Sequence, residues 1–211
     1  MRNKSILMSI QPKWVAKILN GEKTIEVRKK FPKDYVGWVY IYCTKDQGRY
    51  GETQLLYNFK TEEYFIGKDL DNHNHNDICY LNQNGKVVAR FWCDKVEEIA
   101  QAKLENGVGY DYIYDTDTLL AQNFYKKSCL ENWDLLNYFG YKYKNGEIVG
   151  YAIHISKLEV FDKPMLTTMF RKPEYRDFLN DSKPNRMSLY KTLKKYSLSK
   201  APQSWQFIEG E

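Results

Sequence analysis

Apolar and polar positions along the first fifth of the chain predict a compact series of elements. The run Ser5-Ile6-Leu7-Met8-Ser9-Ile10 reads as a strand. Pro12 suits the first turn of a helix, where its missing donor costs nothing. Trp14, Val15, Ile18 and Leu19 then return at helical spacing and form one apolar face. Asn20-Gly21 stops that helix, with Gly21 free to adopt a left-handed cap. Residues 24–29 predict a second strand. Strand side chains alternate faces, so Ile25 and Val27 point one way and Thr24, Glu26 and Arg28 the other. Residues 38–43 are apolar on both faces, the pattern of an interior strand.

Residues 44–84 are polar, with aromatics at Tyr50, Tyr57, Phe59, Tyr64 and Phe65. A structureless loop of that length is unusual, so this stretch reads as an insertion with a short hairpin or helix of its own. Asn84-Gly85 is a hairpin signal, followed by a strand over 86–96. Helices are predicted over 115–124, capped by Asp115 or Thr116, and over 130–139, ended by Gly140. Asn145-Gly146 marks a further turn. Residues 149–161 predict one long strand, with Tyr151, Ile153 and Ile155 on one face, His154 and Ser156 on the other, and Pro164 ending it. The most basic segment is 165–200, with Tyr175, Tyr190 and Tyr196 interleaved and a helix over 188–196. A short strand over 202–208 closes the chain.

The 211 residues suffice for one domain with insertions or two small ones. A hydrophobic fraction of 43% with 16% aromatics excludes a disordered chain. The net charge of +5 permits a nucleic-acid partner without requiring one. Cys43, Cys79, Cys93 and Cys129 form no CxxC pair, and Cys43 and Cys93 lie in apolar runs as packed thiols. No apolar stretch suggests a signal peptide or membrane span, which makes the cytoplasm the expected compartment. No metal or cofactor signature is present. His73 and His75 sit in an Asn/Asp-rich run without a third ligand nearby and read as loop residues. His154 reads as a hydrogen-bonded strand histidine. Cys129, placed before a helix, could be activated by the helix terminus but lacks a nearby His in the sequence.

Ser9-Ile10-Gln11-Pro12, residues 18–21, and then Lys23, Thr24, Glu26 and Arg28 resemble the ASCH domain of the PUA-like superfamily, the last group matching its GxKxxExR pattern. Residues 38–43, 87–93, 151–156 and 202–205 look like that family's strands. The resemblance implies an α+β fold: a PUA-like mixed β-barrel with flanking helices, a single domain over 1–211, and insertions at about 44–84 and 165–200. It also implies a cleft lined by the ridge from Lys23 to Arg28, for RNA or a modified nucleobase. Some family members resemble an amidohydrolase acting on the acylated exocyclic nitrogen of cytidine, and others nucleases.

The residues admit more than one chemistry. In a binding site, Lys23 and Arg28 supply cationic donors for a phosphate or a base carbonyl. Glu26 can accept from the exocyclic amine of cytosine or adenine. Ser9, Gln11, Thr24, Tyr42, Ser204 and Trp205 complete the candidate ligand contacts, with Tyr40, Tyr42 or Trp205 as stacking surfaces. Arg186, Lys191, Lys194 and Lys195 are candidate nucleic-acid contacts. In an enzyme, Lys23, Thr24 and Glu26 are the catalytic candidates, as a metal-independent hydrolase with Glu26 as general base. The amidohydrolase threonine falls on Glu26, however, and its distant glutamate falls nearest Lys126, with Glu131 a few residues on. A third reading is a protein-interaction module in which Glu26 and Arg28 form an exposed ion pair contributing about 0–1 kcal/mol.

Overall fold

The computed structural model describes residues 4–45, 51–79, 83–103, 110–113, 118–140, 148–181 and 186–210. The expected caps Asp115 and Thr116 and the expected Asn145-Gly146 turn lie outside these residues. The chain divides into two compact units. The first comprises Met1–Asn20, Gly37–Trp92 and Lys157–Glu211; the second comprises Gly21–Val36 and Cys93–Ser156.

The first unit is organised by β1 (Lys4–Ile10), whose last six residues are all buried. It pairs in parallel with β3 (Gly37–Cys43) and antiparallel with β12 (Trp205–Glu209). With β7 (Lys86–Cys93) and β11 (Ser156–Met165) they form a five-stranded sheet in the order β11-β7-β3-β1-β12. Leu7, Tyr40, Tyr42 and Ile208 pack with Phe170 and Leu198 in one hydrophobic core cluster. Helix α1 (Pro12–Leu19) follows β1 and buries Val15 and Ile18 of the expected face together with Pro12 and Ala16, while Trp14 and Leu19 are half-buried.

Residues 44–84 hold their own small sheet, as a chain too long to stay structureless would. It consists of β4 (Leu55–Asn58), β5 (Glu63–Ile66) and β6 (Ile78–Cys79) in the order β5-β4-β6. The Asn20 side chain joins it to the end of α1, donating to Tyr64 O and accepting from Tyr64 N, each at 2.8 Å. Asn84 ties the hairpin turn down: its Oδ1 accepts from Leu55 N, and its Nδ2 donates to Thr44 O and Thr53 O. Gly85 beside it has φ +79°, a value that suits glycine. The basic segment forms α4 (Glu174–Asp181) and α5 (Arg186–Tyr196), which meet through the Tyr196 ring against Tyr175 and Phe178.

The second unit contains a four-stranded sheet in the order β2-β10-β8-β9. Its strands are β2 (Ile25–Arg28), β8 (Val96–Lys103), β9 (Tyr110–Ile113) and β10 (Ile148–His154). Two helices accompany it, α2 (Thr118–Ser128) and α3 (Asn132–Phe139). Ile25 and Val27 enter a core cluster with Ile99, Phe124, Leu135 and Ala152.

Four expectations need revision. The three sheets are open, and none of them closes into a barrel among the described residues. The single strand over 149–161 is two strands, β10 and β11, separated at Ile155, with Lys157 in the left-handed region at φ +44°. Nor does Pro164 end β11, which runs on to Met165; β11 is the outermost strand of its sheet, where a residue lacking an N–H is tolerated. The strand expected over 86–96 stops at Cys93, and the chain enters the other sheet from Val96.

Candidate functional site

The ridge of the second unit starts from strand alternation. Antiparallel register places Glu26 opposite Ile153 and Arg28 opposite Tyr151. Since Ile25 and Val27 occupy the core side with Ala152, Glu26 and Arg28 take the other face. That face is not washed by water. Lys23 is 2% exposed and Glu26 is 5% exposed. The Arg28 side chain is 12% exposed.

The three charges form one chain of contacts. Arg28 Nη2 lies 2.9 Å from Glu26 Oε1, and Lys23 Nζ lies 3.5 Å from Glu26 Oε2. Lys23 Nζ also donates to the carbonyl of Ser128 at 2.6 Å. Ser128 is the last residue of α2, and the preceding carbonyl, Lys127 O, accepts from Thr24 N at 2.8 Å. Two terminal carbonyls of α2 are thus satisfied by the Lys23-Thr24 segment. A cation is favourable there because helix carbonyls concentrate negative partial charge at the C-terminus. On the other side, Thr24 O accepts from Ile155 N at 2.9 Å, which fixes the approach to β2.

Burial lowers the proton affinity of Lys23 below its ordinary value, and the adjacent Glu26 carboxylate works against that shift. The arrangement sets the Glu26 carboxylate between the Lys23 ammonium and the Arg28 guanidinium. It can accept hydrogen bonds through lone pairs that the cations leave, and it presents a guanidinium edge at the more exposed end. The ion pair weighed in the structural reading does form, but it is buried rather than exposed.

The other candidates are placed elsewhere in the chain. In the first unit, Ser9 is buried; its hydroxyl donates to Pro202 O at 2.6 Å and its N–H to Ser204 O at 2.8 Å. Tyr42 stands opposite Ser9 in the register of β3 and β1, is buried, and has its phenol pushed up by that burial. Trp205 pairs with Met8 in register and so shares the opposite sheet face from Ser9 and Tyr42. Its ring meets Phe207 edge-on at 5.6 Å. Ser204 and Gln11 are exposed, and the Gln11 carbonyl accepts from Trp14 N and Val15 N at the start of α1. Ser9, Tyr42, Ser204 and Trp205 thus belong to the first unit, with Trp205 on the other sheet face from Ser9 and Tyr42, while Lys23, Thr24, Glu26 and Arg28 gather in the second. Tyr40 packs edge-on against Phe170 within the core cluster.

Lys191, Lys194 and Lys195 are exposed on α5, and the side chain of Arg186 lies outside the described residues. Lys126 and Glu131 are exposed, at the end of α2 and the start of α3. Cys129 follows the last residue of α2 and precedes the N-cap of α3, Glu131, by two residues; its thiol donates to Lys126 O at 3.7 Å. His73 stacks on Phe65 at 3.8 Å. His154 Nε2 meets Glu97 Oε2 at 2.5 Å, a partner with no signal in the sequence. Among the described residues no His, Cys, Asp or Glu group is arranged to hold a metal ion. No described helix is long and apolar enough to cross a membrane. The contribution of Ser128 was also hidden from sequence, since a backbone carbonyl carries no residue-type signature.

No family model matches the chain, and no curated protein matches it. Among solved structures, it aligns with the crystal structure of ASCH from Zymomonas mobilis at 13% identity, over 97% of this chain and 87% of that one, with a TM-score of 0.43. The chain resembles an ASCH structure. Two mutant forms of the Zymomonas mobilis protein align over the same 97% of this chain, at 13% and 14% identity with TM-scores of 0.43 and 0.44. A likeness this coarse carries no ligand and no residue's role across to this chain.

Proposed function

We propose that the protein is a PUA-like domain that binds RNA or a modified nucleoside through Glu26 and Arg28, with Lys23 holding the carboxylate in place. In this reading the chain is one domain carrying insertions at about 44–84 and 165–200, and it works in the cytoplasm. The observation that supports it is the burial of a Lys–Glu–Arg chain on the polar face of an outermost strand. Burying charges costs several kcal/mol per ion in round terms, about what their mutual attraction returns, and apolar residues of similar volume hold a fold as well. Ionisable side chains buried at that cost supply directional recognition. Glu26 matches the exocyclic amine of cytosine or adenine, and Arg28 matches a carbonyl or phosphate oxygen. The exposed lysines of α5 add sequence-independent attraction to phosphates.

Equilibrium binding of RNA and of single nucleosides, measured for wild type and Arg28→Ala, tests the reading. A folded Arg28→Ala protein with wild-type affinity removes it.

One observation favours a second reading. Lys23 has a lowered proton affinity and lies beside Glu26, a pairing suited to proton transfer. A metal-independent hydrolase would use Glu26 to take a proton from water as the water attacks an acyl carbon. The carbon–nitrogen bond then breaks, the amine takes up a proton, and the acyl group leaves as a carboxylic acid. Incubation with N4-acylated cytidines decides between them: release of cytidine by wild type supports the hydrolase, and binding without release supports the recognition module.

A further inference from the structure

The first unit carries a second cluster of aromatic and cationic groups. Trp38 on β3 and Trp92 on β7 meet edge to face, with centroids 5.4 Å apart and planes at 84°. The guanidinium of Arg90 lies 4.1 Å from the centre of the Trp38 ring and 5.8 Å from that of Tyr40. It is aimed by two hydrogen bonds, Nε to Glu159 Oε2 at 2.7 Å and Nη1 to the Tyr40 hydroxyl at 3.1 Å. Lys157 is exposed, and its ammonium lies 5.9 Å from the centre of the Trp92 ring.

The cluster sits on neighbouring strands of one sheet, β11, β7 and β3. Alternation along β3 places Trp38, Tyr40 and Tyr42 on one face. Tyr40 and Tyr42 are buried under Phe170 and Leu198, whereas Trp38 is only half-buried. Trp92 and Arg90 are also half-buried. The covering segment therefore leaves this corner of the sheet accessible. Trp38 packs against the edge of the core cluster yet stays half-buried beside Trp92, and Lys157 sits in the left-handed region at φ +44°. Both have a use if flat, electron-rich rings and positive charges must be presented together.

We infer that this corner of the five-stranded sheet is a stacking platform for single-stranded nucleic acid. Bases stack on Trp92 and on the Trp38–Arg90 layer, since an indole and an ordered guanidinium both offer a flat face. Lys157 takes a backbone phosphate. Arg90, paired with Glu159, and Lys157 place cationic groups against the Trp38 and Trp92 rings, which suits an anionic strand better than an apolar partner. The platform does not depend on the Glu26 site and reads no sequence.

The test is the anisotropy of a fluorescein-labelled oligouridylate titrated with wild type, Trp92→Leu, Lys157→Gly and Glu26→Gln. Leucine keeps apolar bulk but removes the flat ring, and affinity falls about tenfold. Glycine removes the ammonium while suiting the left-handed backbone, so the protein stays folded. Its affinity falls, and the slope of log affinity against log salt drops by about one. Glu26→Gln reports on the other site alone: whatever its own effect, the losses in Trp92→Leu and Lys157→Gly remain. Wild type that fails to bind the oligonucleotide overturns the platform, as does wild-type affinity and salt slope in folded Trp92→Leu and Lys157→Gly. Loss confined to Glu26→Gln also overturns it, while leaving the Glu26 site standing.

Discussion

Replacing Glu26 with glutamine keeps the shape of the buried chain and removes its only negative charge. The carboxylate faces Arg28 at 2.9 Å and Lys23 at 3.5 Å, with side chains 12% and 2% exposed. At an effective dielectric near 20, each contact is worth about 5 kcal/mol before desolvation. Breaking a buried pair by removing one partner costs about 3–5 kcal/mol net, because a cation is left uncompensated. Lys23 is the more buried of the two cations, and its burial already favours the neutral amine, which sets the cost at the lower end of that range, about 3 kcal/mol. That preference gives the sign of a pH effect. Lys23 is already lowered from 10.5 by burial, and loss of Glu26 removes the contact that raises it. Where the native lysine is neutral and the unfolded one still charged, the unfolded state binds more protons, so stability rises with pH. The Glu26→Gln deficit therefore shrinks as pH rises from neutrality toward 10.5. Lys23→Met leaves the Glu26–Arg28 contact intact and strips one donor from Ser128 O, costing about 1–3 kcal/mol with a pH dependence unlike that of Glu26→Gln. Urea denaturation of the three proteins across that range is the assay. A Glu26→Gln deficit that stays constant with pH, or is smaller than that of Lys23→Met at neutrality, refutes the reasoning.

Other expected outcomes follow from single contacts. Burial pushes the Cys43 thiol from 9.0 up to about 12. The unfolded state gives up this proton first, so the stability due to the neutral thiol is complete below 9.0 and is lost as pH rises toward 12. At one pH unit above the unfolded value the loss is about 1.4 kcal/mol, and Cys43→Ala shows a shallower alkaline decline in urea midpoint. Gly150→Ala places a methyl 2.4 Å from the Phe139 ring and 2.8 Å from Arg28 O, so it should cost about 1–3 kcal/mol and lower the melting temperature. Asn84→Ala leaves Leu55 N, Thr44 O and Thr53 O without their side-chain partner, at about 2 kcal/mol or more; faster amide exchange at Leu55 reports it directly.

The first elements were legible because their periods are clean. Residues 12–19 carry apolar positions at helical spacing, and Ile25 and Val27 alternate with Glu26 and Arg28, so α1 and the core side of β2 follow from the chain itself. The boundary after Cys93 was not legible, because Asp94-Lys95 offers neither Gly nor Pro to mark a strand changing sheets. Pro164 misled for the converse reason: its meaning depends on whether its strand lies inside a sheet or at the edge, and sequence alone does not say. At the candidate site the charged residues could be named from their pattern, but their burial could not. Lys23 owes its position to the carbonyl that ends α2, more than a hundred residues away by sequence separation (105), and such a contact leaves no mark on either segment.

The most direct measurement of the central claim is isothermal titration of cytidine, adenosine and uridine into wild type and folded Glu26→Gln. Recognition of an exocyclic amine by the Glu26 carboxylate predicts that cytidine or adenosine binds wild type in preference to uridine, and that glutamine abolishes the preference. Equal binding of all three by wild type, or a preference that survives the substitution, contradicts it.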